Sequence, residues 1–225
     1  MKSVSRFVVA LTMAIVGVCA VAAPVDPVVP CDRRVVVVGE STILGQGVVD
    51  PAANGFTSRL QLFFRRVCSG AFAVRIIASK DRTLLDAMDE IAAEIARNPR
   101  GIFIIHFPMT DVASGAPVDS LVRSYKLVLE RCNESASVCI IGGQQPANDQ
   151  DVRVADLQLG LERTAAAAFG ARYLPLYEHF QSETNHRRLM LPLDSGDGSH
   201  LNAGGHQVLF ELYRRRLLEL TDPSR

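Results

Sequence analysis

The chain has 225 residues, 48% of them hydrophobic, which is enough to bury one sizeable core and sits within the range of a single domain. Its 24 basic and 24 acidic residues cancel to a formal net charge of zero. That balance argues against a nucleic-acid footprint or an anionic-membrane patch and in favour of a small or neutral partner.

Residues 1–22 read as a secretory signal peptide: Lys2 and Arg6 precede an apolar run from Phe7 to Val18, and Ala20-Val21-Ala22 supplies small residues for cleavage. Release after Ala22 is favoured, because a cut after Ala23 would leave Pro24 directly behind the scissile bond. The run is short of the roughly 20 residues that a membrane span needs, and the bulky Val18 argues against lipid attachment at Cys19. The mature protein is therefore expected to be exported, periplasmic or secreted, with no integral span. Loss of Cys19 leaves Cys31, Cys68, Cys132 and Cys139, an even set suited to disulfides in an oxidising compartment.

Residues 23–32 form a linker, and 33–225 read as one domain. Val35 to Val38, Phe72 to Ile77, Ile102 to Ile105 and Val138 to Ile141 read as strands buried on both faces, with Arg172 to Leu176 a weaker fifth. The valine run is expected to be the central strand. Between the strands lie helical stripes: Phe56, Leu60, Phe63, Phe64 and Val67 behind Asn54 as a cap; Leu84, Met88, Ile91 and Ile95; Leu121, Tyr125, Val128 and Leu129; Val154, Leu157 and Leu161; and last Val208, Leu209 and Leu212. Strand-helix alternation of this kind predicts a parallel sheet covered on both faces, with ligands bound at the rim where the strands end. Cys31 precedes the first strand and Cys68 ends the helix returning from that rim, so both are expected at the opposite rim. Cys132 and Cys139 bracket the end of the third helix and the start of the fourth strand. The expected pairs are Cys31 with Cys68 and Cys132 with Cys139.

Ser41 directly follows the first strand, with Gly39 before it and Gly45 and Gly47 after it. Glycines allow a tight turn that leaves the serine and its own N–H exposed at the strand end, as a nucleophile beside an oxyanion site requires. A plain turn has the same composition. Far along the chain, DGSHLNAGGH, Asp197 to His206, places a carboxylate three residues before His200. A serine nucleophile needs a histidine base, and the base needs a carboxylate to orient it, so one short segment offers both partners.

With DGSHLNAGGH as its closing motif, GESTILGQG as its opening block and NGFTSRL at the start of the first long helix, the sequence resembles the SGNH or GDSL-type hydrolases from about residue 33 to 215. That resemblance implies a three-layer α/β/α sandwich with a parallel, flavodoxin-like five-stranded sheet and ester hydrolysis without a cofactor. It carries the nucleophile onto Ser41, the general base and acid onto His200 and the orienting carboxylate onto Asp197. Glu40 stands where the family has aspartate. Alignment of ASKDRTLLD puts Asp81 at the glycine that supplies an oxyanion N–H, and HFPMTD puts Pro108 at a glycine and Thr110 at the oxyanion asparagine. Ser41, Asp81 and Thr110 are the implied oxyanion groups, and loss of one such donor costs about 10²- to 10³-fold in rate.

His106, at the end of the third strand, is expected to be a buried structural histidine. His179, His186 and His206 lack metal spacing with a carboxylate or cysteine, and no metal is expected. Gln144 and Gln145, after the fourth strand, are placed in the pocket wall. The expected substrate is a small-molecule, glycan or lipid ester. Transfer of the acyl group to a sugar, or binding of acylated glycans by a catalytically weakened module, are the alternatives.

Overall fold

A computed structural model describes residues 29, 31–68, 73–143, 145–146, 156–157, 159–161, 163–164, 172–181 and 189–219. The signal-peptide reading, most of the linker, Phe72, Gln144, Val154 and His186 lie outside the described residues. Five strands, β1 (Val35–Gly39), β2 (Arg75–Ala78), β3 (Ile102–His106), β4 (Val138–Gly142) and β5 (Tyr173–Leu174), pair in parallel in the order β2-β1-β3-β4-β5. This is the flavodoxin-like order. Helices with complete bounds among the described residues are α1 (Pro51–Asn54), α2 (Phe56–Val67), α3 (Leu84–Arg97), α4 (Pro108–Ala113), α5 (Val118–Glu134), α6 (Tyr177–Phe180) and α7 (Ala203–Glu219).

Side chains alternate across a strand, and here both faces are covered. Val36, Val38, Phe103, Ile105 and Ile141 pack with Leu84 and Ile91 of α3 and Leu121, Tyr125 and Val128 of α5. Val35, Val37, Ile102, Ile104 and Ile140 pack on the other face with Phe56, Leu60 and Phe64 of α2 and Leu209, Phe210 and Tyr213 of α7. The chain is thus a three-layer α/β/α sandwich. Two-sided burial is why the inner strands read as unbroken apolar runs, and each such buried side chain contributes about 1.5–3 kcal/mol.

Four expectations need correction. The second strand is not buried on both faces: β2 is an edge strand, and Ile76 is 45% exposed. The valine strand β1 is an inner strand but second in the order, and β3 is the middle one of the five. Asn54 does not cap α2. Asp50 caps the short α1 through a bond from Ala53 N–H, Asn54 ends that helix, and Gly55 stands at the N-cap of α2. The buried stripe of the last helix runs through His206, Leu209, Phe210, Tyr213 and Leu217, leaving Val208 and Leu212 at its margin.

Both disulfides join the expected partners. Cys31–Cys68 ties the chain entering β1 to the end of α2, and Cys132–Cys139 closes the connection from α5 into β4. They brace the rim opposite the strand ends, where the segments after β1, β2, β3 and β4 converge.

Candidate active site

Strand β1 ends at Gly39, a position only glycine fits: a Cβ there would collide with the carbonyl oxygen of His106 on β3 and the side chain of Ile43. The chain then turns over residues 41–47, closed by Ile43 N–H donating to Glu40 O (3.0 Å) and Gln46 N–H donating to Ser41 O (3.0 Å). Gly47 has a φ of +93°, a region that favours glycine. A Cβ on it would press on Leu201 O, on His200 Cβ (2.9 Å) and on Ser195 Cβ (3.1 Å). The turn carrying Ser41 therefore packs directly on the loop carrying His200. Ser41 itself is 6% exposed.

That second loop is organised by its own carboxylates. Asp194 Oδ1 accepts from Gly196 and Gly198 N–H (both 2.9 Å), and Asp197 Oδ1 accepts from Ser199 N–H (2.9 Å) and His200 N–H (2.8 Å). Asp197 Oδ2 is left to face His200 Nδ1 at 2.6 Å. Partial burial raises the Asp197 carboxyl, but the bonds from His200 and Ser199 outweigh it and hold the group at about 2. An ionised acceptor at Nδ1 assigns the imidazole proton to that nitrogen and leaves Nε2 as the free base. Asn202, not Asp197, serves the following helix, accepting from Gly205 N–H at 3.0 Å.

In this structure Ser41 Oγ donates to Glu40 Oε2 at 3.3 Å, not to His200. Thr110 Oγ1 donates to the same carboxylate oxygen. Glu40 is 1% exposed. Burial pushes its carboxyl above the ordinary range, an effect partly offset by the Thr110 and Ser41 bonds and by the nearby His200. Asp81 is exposed and takes a φ of +60°, the left-handed conformation that glycine adopts freely and aspartate tolerates better than most residues. Its backbone thus matches a glycine site even though its side chain does not.

Asp111, next to Thr110, staples the surrounding elements. Its Oδ1 accepts from Leu84 N–H at the start of α3 (2.7 Å) and its Oδ2 from the Tyr125 hydroxyl on α5 (2.6 Å). Burial raises its carboxyl to about 6, those two bonds oppose the rise, and Glu40 and Asp86 add to it. The folded chain thus holds this proton more tightly than the unfolded chain. Asp111 contributes stability that is full below the ordinary carboxylate value of 3.8 and is lost as pH rises through about 6. Asp111→Asn keeps an acceptor for Leu84 N–H and removes the titration. Measured by urea unfolding, the variant is expected to gain about 1–3 kcal/mol relative to wild type between acidic and neutral pH. A gap that does not change with pH would show that the carboxyl ionises without penalty.

His106 is fully buried with Nδ1 3.0 Å from the Tyr213 hydroxyl, and burial, helped by His206, lowers it to about 3. It is a neutral structural histidine. His206 has a role that spacing did not reveal: Nδ1 accepts from Phe56 N–H at 3.2 Å and Nε2 lies 3.4 Å from Gln46 O. One side chain on α7 thereby joins the start of α2 to the Ser41 turn, and burial holds it neutral at about 4. Gln145 is fully buried and donates to Ser199 O at 3.0 Å, bracing the His200 loop from the end of β4.

No family model matches the sequence, and no curated protein matches it. Solved structures do match. The chain is similar to the lipase/acylhydrolase from Enterococcus faecalis (TM-score 0.64, 16% identity, 86% of this chain and 99% of that chain). It is similar to a GDSL-like lipase from Bacteroides thetaiotaomicron (0.66, 14%, 87% and 93%) and to an acetyl xylan esterase (0.62, 14%, 81% and 99%). At these identities the likeness is one of architecture: the chain has the three-layer fold found in GDSL-type lipolytic proteins.

Proposed function

We propose that this protein is an exported serine ester hydrolase that cleaves small acyl esters through an acyl-enzyme. The observation that carries the reading is the Asp197–His200 pair, with His200 Nδ1 2.6 Å from a carboxylate held at about 2, on a loop that packs against the Ser41 turn. In this reading His200 Nε2 takes the Ser41 proton as Oγ attacks the acyl carbonyl. The imidazolium then protonates the leaving alcohol, and water, activated by the same nitrogen, releases the acid. The reading assigns the developing oxyanion to backbone N–H groups of Ser41 and of the segment at Asp81, the first of which the Glu40 carboxylate also draws.

The two disulfides and the apolar N-terminal run support export. Among the described residues no helix is long and apolar enough to cross a membrane. Solved structures of like fold bear the names lipase, acylhydrolase and acetyl xylan esterase. For this chain they support acyl esters of envelope or external carbohydrates or lipids as the substrate class. The test is covalent: a fluorophosphonate probe should add its mass to the peptide containing Ser41 in the wild-type protein. Failure to label, together with no turnover of a short-chain p-nitrophenyl ester, would sink the reading.

One observation favours a second reading, a catalytically weakened module that binds acylated glycans or transfers the acyl group. A hydroxyl has a single proton to give, and Thr110 gives it to Glu40. The side chain aligned with the family's oxyanion amide is therefore engaged elsewhere. Product analysis with an acyl donor and a glycan acceptor separates transfer from hydrolysis.

A further inference from the structure

We propose that Glu40 is a positioning residue that sets the reactivity of Ser41: its carboxylate restrains the nucleophile while ionised and releases it to His200 when neutral. The inference rests on the hydrolase reading and adds to it a control built into the first turn. Glu40 Oε2 is the common acceptor for the hydroxyls of Ser41 and Thr110, whereas Oε1 is buried and has no hydrogen-bond partner among the described residues. His200 faces it from the loop before α7, Asp111 from α4 and Tyr125 from α5. Among the described residues no lysine or arginine pairs with it.

The consequence follows from the proton balance. Attack forms the Oγ–carbon bond, sends the Ser41 proton to His200 Nε2 and places the carbonyl electron pair on oxygen. An ionised Glu40 draws that proton the wrong way and adds negative charge beside the new oxyanion. When Glu40 is neutral its proton sits on Oε1, Oε2 still accepts from Thr110, and the bond from Ser41 loses its charge assistance. Burial raises the Glu40 carboxyl and so brings this titration toward the range of an ester assay.

The test is kcat/KM for p-nitrophenyl acetate with wild type, Glu40→Gln and Glu40→Asp from about pH 4.5 to about pH 8.5. The Glu40→Gln to wild-type ratio is expected to be near one in acid and to rise to about 5- to 10-fold at the alkaline end, the difference between a charged and a neutral hydrogen bond. Glu40→Asp should keep the wild-type pH dependence. Thermal melting reports whether the variants fold. Thr110→Val, which removes one donor to the carboxylate and leaves Glu40 in place, is expected to move the same inflection to higher pH. A ratio that stays flat or falls with pH, or an inflection that Thr110→Val does not move, overturns this inference and leaves the hydrolase reading standing. Absence of turnover and of fluorophosphonate labelling in every protein overturns both.

Discussion

Ser41→Ala is expected to lower kcat for a short-chain p-nitrophenyl ester by about 10⁴- to 10⁶-fold and to abolish fluorophosphonate labelling. The size follows from removing the group that the proposed reaction uses to form the acyl-enzyme, so that what remains is binding and backbone oxyanion donation. Ser41 makes one long side-chain bond, 3.3 Å to Glu40, and packs at the end of a strand held by its neighbours. The melting temperature should therefore change little, and KM should stay within a few-fold. A variant that keeps most of its turnover with a normal melting curve would place the nucleophile elsewhere.

Asp197→Asn is expected to be nearly as damaging, lowering kcat by about 10³- to 10⁴-fold with little effect on KM. The two oxygens of Asp197 do separate jobs. Oδ1 organises the loop by accepting from Ser199 and His200 N–H, and Oδ2 faces His200 Nδ1. Asparagine can keep the first job with its oxygen. Its NH₂ group then donates toward Nδ1, which moves the imidazole proton to Nε2, so the nitrogen needed to accept the Ser41 proton already carries one. Nitrogen-15 NMR of the His200 ring reports the tautomer directly. Unchanged kinetics with a switched tautomer would show that His200 is not the base.

Gln145→Leu offers a quieter check on how the His200 loop is held. It deletes the bond to Ser199 O while keeping side-chain bulk, and a loss of about 0.5–1.5 kcal/mol in stability is expected from the lost hydrogen bond. Urea unfolding measures it.

Much of this molecule was legible because local patterns carried it. The apolar run at Val35–Val38 is unbroken because both faces of β1 are buried, and the stripes of α3 and α5 recur at helical spacing because each helix covers one face of the sheet. The Asp197–His200 pair was visible for the same reason: the partners are three residues apart, and a turn brings them together. The misreadings fall where a neighbour distant in sequence decides. Ile76 is as apolar as Ile104, yet one lies on an edge strand and is exposed while the other is fully buried. Asn54 has the side chain of a helix cap, but Asp50 captures the start of the preceding turn first.

By itself, then, the sequence determined the layer architecture, the disulfide partners and the pairing of Asp197 with His200. All of these follow from periodicity, strand direction and short spacing. Only the tertiary structure decided where the proton of Ser41 points, that Thr110 spends its one donor on Glu40, and that His206 clasps the Ser41 turn to α2. The reason is physical: a hydroxyl or an imidazole bonds to whatever acceptor or donor the fold brings within about 3 Å, and no local pattern records that neighbour.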